Sequence, residues 1–245
     1  MFKTIITALK VFFFMIGKNN LKRKAIAYDK KGEIVERDKI VQHIVPLWAR
    51  KVVEYTGSNV QVLGVEKLPS DSAVVFIANH QGYMDIPVMF GFIPKPMTFV
   101  AKSELGKIPL LSAWMKLLQC TFIERSSPRK SVEAIHAAAD GVKKGYSQVI
   151  FPEGTRSKGG RHHEFKAGSF KLAFLSESPI VPVTIDGTYK IFEQTGKVKS
   201  GDVRIIIHEP IETKDLTREQ QAEIPAKVEQ IVCAPLDESP LEGAN

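Results

Sequence analysis

The 245-residue sequence predicts an α/β fold, a mixed, largely parallel sheet of about seven strands flanked by helices, with an N-terminal helical membrane-associated segment. Runs rich in β-branched residues recur at 60–68, 73–78, 97–101, 121–124, 147–151, 180–185 and 203–208. Helical stretches near 103–118, 129–144, 167–177 and 217–233 lie between or after them. Alternation of this kind implies crossover connections and parallel pairing, with ligands collecting beyond the carboxyl ends of the strands. The third observation is the segment ahead of the first strand, which differs from the rest in both hydropathy and charge.

That difference divides the chain into a helical membrane-interface segment, 1–56, and an α/β domain, 57–245. Thr4 to Gly17 contains the most lipophilic run, Val11-Phe12-Phe13-Phe14-Met15-Ile16, and Lys18, Lys22, Arg23 and Lys24 follow at once. The segment is 14 residues long and is interrupted by Lys10, short of the roughly 20 needed to span a bilayer, so it should lie in the interface. A helix packed on the core and a signal peptide are the competing readings. The absence of a small-residue cleavage site and the positive charge after the run weigh against the second. Lys18 to Lys39 reads as a polar bridge to a helix near 37–55. There Ile40, Val41, Ile44, Val45, Trp48, Val52 and Val53 recur at three and four, and Pro46 should bend the axis.

Residues 1–51 hold 12 Lys+Arg against 4 Asp+Glu, a net of +8, so with +7 overall the other 194 residues sum to −1. A basic, apolar N-terminus suits an anionic membrane surface. Nucleic acid is disfavoured because the aromatics form a block instead of alternating with Lys and Arg along a groove. An apolar content of 44% sustains the core of one large domain. Cys120 and Cys233 lie far apart and match no metal spacing, which favours a reducing compartment over a disulfide framework.

Two stretches carry chemistry. Asn79-His80-Gln81-Gly82-Tyr83-Met84-Asp85 follows the apolar run Ala73 to Ala78. A histidine at a strand end, with a carboxylate five positions on across a turn, can be held by one ring nitrogen while the other takes a proton from a hydroxyl. The spacing alone is weak, since a strand-end histidine is more often structural. The second stretch is Gln148-Val149-Ile150-Phe151 running into Pro152-Glu153-Gly154-Thr155-Arg156-Ser157-Lys158. Gly154 lets backbone N–H groups approach an anion, Thr155 and Ser157 offer hydroxyls, and Arg156 offers a planar fork for two phosphate oxygens. A solvated basic turn is the alternative. Glu153 would repel phosphate and is better employed gripping Arg156, the loop backbone or a glycerol hydroxyl. No Gly-x-Ser-x-Gly elbow occurs, which disfavours a serine hydrolase.

Four blocks in order, Asn79 to Asp85, Phe122-Ile123-Glu124-Arg125, Phe151 to Arg156 and Val181-Pro182-Val183-Thr184-Ile185, resemble the motif blocks of the PlsC-type glycerolipid acyltransferase family. The likeness is greatest to members that acylate lysophosphatidate. The resemblance implies transfer of a fatty acyl group from acyl-CoA or an acyl carrier protein to the sn-2 hydroxyl of 1-acyl-sn-glycerol 3-phosphate, giving phosphatidate, with no metal and no cofactor. It implies His80 as the base and Asp85 as its partner. Arg125, Glu153, Gly154, Thr155 and Arg156 would form the acceptor's phosphate and glycerol site, and Lys102 and Lys166 would extend the phosphate field or face solvent. An enzyme of this kind would work at the cytoplasmic face of the cell membrane as a peripheral or monotopic protein. Gly82 stands where the family often has serine, Glu124 where aspartate is common, and Gln119-Cys120 where a glycine often precedes the block. The acceptor therefore stays open between lysophosphatidate, another lysolipid and glycerol 3-phosphate. A non-catalytic lipid-binding protein is the rival from another class.

Overall fold

The computed structural model describes residues 1–124 and 126–237, with the Pro128 side chain left aside. Its seven strands are β1 Asn59–Leu63, β2 Val75–Ala78, β3 Met97–Lys102, β4 Thr121–Ile123, β5 Ser147–Ile150, β6 Ile180–Asp186 and β7 Asp202–Ile207. They form one sheet in the order β1-β7-β6-β2-β5-β3-β4. The pairs β6–β2, β2–β5, β5–β3 and β3–β4 are parallel. β7 runs antiparallel to β6, and β1 pairs parallel with β7. The mixed, largely parallel sheet expected from the sequence is the one observed. Five neighbouring strands therefore point their carboxyl ends to a single edge.

β2 is central, and all four of its residues are buried. Such a strand reads as a continuous apolar run because helices cover both faces. Phe76 and Ala78 join one core cluster, Val75 and Ile77 the other, as the two-residue period of a strand requires. The first face is covered by α3 (Ile34–Thr56), α4 (Asp85–Phe92) and α5 (Pro109–Leu117). The second is covered by α6 (Pro128–Lys143), α7 (Lys171–Ser176) and α8 (Arg218–Asp237). α3 and α4 approach closely at Gly91, where a Cβ would lie 3.1 Å from the Arg50 amide nitrogen.

The N-terminal helix α1 (Phe2–Gly17) has two unlike faces. Val11 and Met15 pack against the core, and Thr7 is buried with its hydroxyl donating to the Tyr55 carbonyl at 3.2 Å. Phe2, Ile5, Leu9, Phe12, Phe13 and Ile16 are exposed and recur at three and four along the opposite face. The core-packed reading describes one side of the helix, and the other side is an exposed apolar face. Among the described residues no helix is long and apolar enough to cross a membrane.

Two local expectations need correction. The polar bridge contains a helix, α2 (Asn19–Lys31), whose one fully buried residue is Ala25. It is fastened where Arg37, 2% exposed, pairs with Asp29 at 2.7 Å and Asp38 at 2.8 Å and donates to the Tyr146 hydroxyl at 2.7 Å. Burial pulls the Arg37 guanidinium down, and the two carboxylates more than offset it, leaving it above its ordinary value. The stretch 103–118 is a 3₁₀ turn, Ser103–Lys107, followed by α5. Pro109 lacks an N–H and fits the first position of a new helix, so one continuous helix is ruled out.

Candidate active site

Residues that follow β6, β2 and β5, the three central parallel strands, meet at the shared edge. After β2 the chain turns through Asn79, whose amide copies a peptide. Its Nδ2 donates to the Ile185 carbonyl at 2.8 Å, and its Oδ1 accepts from the Ile185 N–H at 2.7 Å. This fastens the end of β2 to β6 and fixes where His80 begins. The His80 ring stacks on Phe151 at the end of β5, with centroids 4.2 Å apart and planes 16° apart.

Asp85, fully buried at the start of α4, lies behind the ring. Its Oδ2 is 2.6 Å from His80 Nδ1 and accepts the N–H groups of Gln81 at 2.7 Å and Gly82 at 2.9 Å. Its Oδ1 accepts the Thr188 hydroxyl. Four donors satisfy a carboxylate that would otherwise be costly to bury. A carboxylate against Nδ1 leaves the neutral imidazole with its proton there and its lone pair on Nε2. The histidine side chain is 20% exposed and borders the main cavity.

The loop after β5 is zipped to that turn by its backbone. Ser157 N–H donates to the His80 carbonyl at 2.8 Å and Lys158 N–H to the Gln81 carbonyl at 3.1 Å. Glu153 faces inward, 2% exposed, with Oε1 accepting the His80 N–H at 2.5 Å and Oε2 the His163 N–H at 2.9 Å. Burial pushes its carboxyl above the ordinary value against the downward pull of those two amides. Of the three uses foreseen for this side chain, gripping the loop backbone is the one observed; Glu153 does not line the cavity. It braces the site from behind because a carboxylate on this loop finds its donors inside.

Gly154 adopts φ +74°, a left-handed conformation that favours glycine, and a Cβ there would lie 2.8 Å from Lys166 Nζ. Arg156 stacks over the Tyr83 ring, 3.7 Å from its centroid, and its Nη1 donates to Glu193 Oε1 at 3.1 Å. Gly154, Thr155, Arg156, Lys102 and Lys166 border the same cavity as His80. Arg125 lies outside the described residues.

The cavity measures about 1490 Å³, larger than the roughly 300–1,000 Å³ of ordinary small-molecule sites. Its lining joins His80, Lys102, Arg156 and Lys166 to apolar side chains that include Phe90, Trp114 and Met115, Val45 and Trp48 of α3 and Met15 of α1. The lining thus combines cations and a hydrogen-bond acceptor with a broad lipophilic surface. Sequence reading missed Thr188, Gln81 and Glu193. Gln81 Oε1 accepts the Gly187 N–H at 2.9 Å and lies 3.3 Å from the Thr188 hydroxyl, which braces the turn against the end of β6. Their one signal was position, just past the carboxyl end of a central parallel strand.

The acyltransferase family's sequence model matches residues 59–186, which span β1 to the end of β6. A chloroplastic 1-acyl-sn-glycerol-3-phosphate acyltransferase from Brassica napus is 37% identical over 71% of this chain and 51% of its own length. One from Borreliella burgdorferi is 32% identical over 72% of this chain and 71% of its own length. The crystal structure of the 1-acyl-sn-glycerophosphate acyltransferase PlsC from Thermotoga maritima superposes with a TM-score of 0.80 at 27% identity, covering 97% of this chain and 96% of that one. The chain thus spans about half the length of the plant relative and nearly all of the bacterial structure. On the family match and these identities, the chain belongs to the acyltransferase family.

Proposed function

We propose that this chain is an O-acyltransferase that moves a fatty acyl group from an acyl thioester, acyl-CoA or acyl carrier protein, to the sn-2 hydroxyl of 1-acyl-sn-glycerol 3-phosphate. The observation that carries this reading is His80, held through Nδ1 by Asp85, on the wall of a cavity lined both by cations and by a broad apolar surface. Nε2 takes the hydroxyl proton as the alcohol oxygen bonds to the thioester carbonyl carbon. The carbon–sulfur bond then breaks and the thiolate recovers the proton from the imidazolium, so no acyl-enzyme is needed. Asp85 holds the tautomer and stabilises the imidazolium. Arg156, with Lys102 and Lys166 nearby, binds the phosphate, and the apolar surface takes an acyl chain.

Substrate and product of this reaction live in a bilayer. The exposed apolar face of α1 and the basic N-terminus support a peripheral or monotopic contact with the cytoplasmic face of the membrane. The test is thiol release by purified protein on anionic vesicles, crossing acyl-CoA and acyl carrier protein with lysophosphatidate and with monoacylglycerol. Lysophosphatidate-dependent release is expected. Arg156→Ala should lose the phosphorylated acceptor selectively, and Phe13→Glu should lower vesicle binding. No release with either donor overturns the reading.

A further inference from the structure

The Glu193 side chain is 3% exposed, sits in the segment after β6, and does not line the cavity. Its Oε1 nonetheless takes two hydrogen bonds from the site. One comes from the Tyr83 N–H at 2.7 Å, inside the turn that carries His80, and the other from Arg156 Nη1 at 3.1 Å. Its Oε2 is buried and has no hydrogen-bond partner among the described residues. That oxygen lies 2.5 Å from where a Gly82 Cβ would be, so the carboxylate reaches this place because residue 82 has no side chain.

We propose that Glu193 is a positioning residue for recognition of the acceptor's phosphate, a proposal that rests on the function given above. A guanidinium is planar, and two constraints fix its plane here: the Tyr83 ring beneath it and the Glu193 oxygen at one Nη. The Nε–Nη2 edge is left to pair with two phosphate oxygens. Because the same oxygen also holds the Tyr83 amide, the phosphate anchor and the His80 turn move as one body. The distance from the bound phosphate to Nε2 is then set by the protein. Glu193 acts through Arg156 and Tyr83 and touches no substrate. Gly82 is the matching half of the device, since any side chain there would displace the carboxylate.

The experiment is steady-state acyl transfer with the full chain, varying lysophosphatidate and, separately, monoacylglycerol, for wild type, Glu193→Ala, Glu193→Gln, Gly82→Ser and the Gly82→Ser/Glu193→Ala double variant, each checked for folding by thermal melting. Glu193→Ala should raise KM for lysophosphatidate about tenfold, the scale of one charge-assisted hydrogen bond, with a smaller fall in kcat from the loosened His80 turn and a much smaller loss on monoacylglycerol, which has no phosphate to anchor. Glu193→Gln keeps an oxygen acceptor and should recover most of the loss. Gly82→Ser should raise the same KM, and by a smaller factor when Glu193 is already alanine. Should Glu193→Ala fail to fold, the Gly82→Ser effect reads the same displacement with the carboxylate intact. An unmoved KM, an equal loss on both acceptors, or a glutamine variant as impaired as the alanine variant overturns the proposal. Wild type that acylates no lysophosphatidate overturns the functional reading and this inference with it, whereas an active wild type with an unmoved variant KM removes this inference alone.

Discussion

The turn after β2 and the loop after β5 each carry one buried acid, and both acids hold His80. Asp85 reaches the imidazole and two neighbouring amides. Glu153 reaches the main-chain N–H of the same histidine and the N–H of His163. In the proposed mechanism a carboxylate bonded to Nδ1 fixes the tautomer that leaves Nε2 free to take the proton. One bonded only to amides acts on the shape of the backbone. Substitution of the first should lower turnover far beyond any loss of stability, and substitution of the second should appear in stability first.

The largest effect is expected at Asp85. Asparagine would turn its amide N–H₂ either toward His80 Nδ1 and the N–H groups of Gln81 and Gly82, which share one carboxylate oxygen, or toward the Thr188 hydroxyl on the other; either way the volume is kept and the charge that would steady an imidazolium is lost. Asp85→Asn should lower kcat by about 10²–10⁴, the range of positioned general-base catalysis, and His80→Ala by a similar factor. Thiol release, with a thermal melt as control, measures both. Turnover within threefold of wild type in a folded His80→Ala protein would falsify the base assignment.

The turn was legible because its parts are close in sequence. His80 and Asp85 stand five apart, the run Ala73 to Ala78 places them after a strand, and the structure brings Nδ1 to 2.6 Å from the carboxylate. The strands were legible for the same local reason, as β-branched runs between turn residues. Thr188 and Glu193 were not, because Thr188 meets Asp85 across 103 positions and Glu193 meets Arg156 across 37. Nothing in spacing joins such pairs until the sheet order puts β6 beside β2. Helix α2 escaped notice because its contact with the core rests on Ala25 and partly buried Leu21 and Ile26, too narrow a stripe to stand out among the lysines. The inward turn of Glu153 was only one of several readings, since strand-end position alone does not say which way a loop side chain points.

Glu153 sharpens the comparison at a middle scale. Glutamine in its place would keep one oxygen for one amide and set an N–H₂ against the other, leaving a buried donor without an acceptor. Glu153→Gln should cost about 1–3 kcal/mol of stability, read from the denaturant midpoint. Activity should fall only as far as the backbone of His80 shifts. A variant as stable as wild type yet inactive would place Glu153 with Asp85 and dissolve the distinction.

The smallest effect is expected away from both acids, at His208, which follows β7 on the opposite edge of the sheet. The Thr184 hydroxyl donates to the Val232 carbonyl at 2.6 Å, so His208 Nε2, 2.8 Å away, must donate to that hydroxyl. Burial first, and the charge of Lys67 second, lower the His208 pKa from its ordinary value of 6.5. The unfolded chain takes up this proton at the ordinary value and the folded chain only at lower pH, so between the two the unfolded state binds more protons. The stabilisation is therefore full above about pH 6.5 and is lost as pH falls below it, down to the folded pKa. Glutamine can make the same donation without titrating. Denaturant midpoints of His208→Gln should fall less than wild type between neutral pH and the window below 6.5, while the pH profile of acyl transfer keeps its shape, because His208 lies at the other edge of the sheet from the site. An identical fall in both proteins would assign the acid sensitivity to another group. A shifted activity profile would mean that the two edges of the sheet are coupled, and His80 could then no longer be treated as governed by its two acids alone.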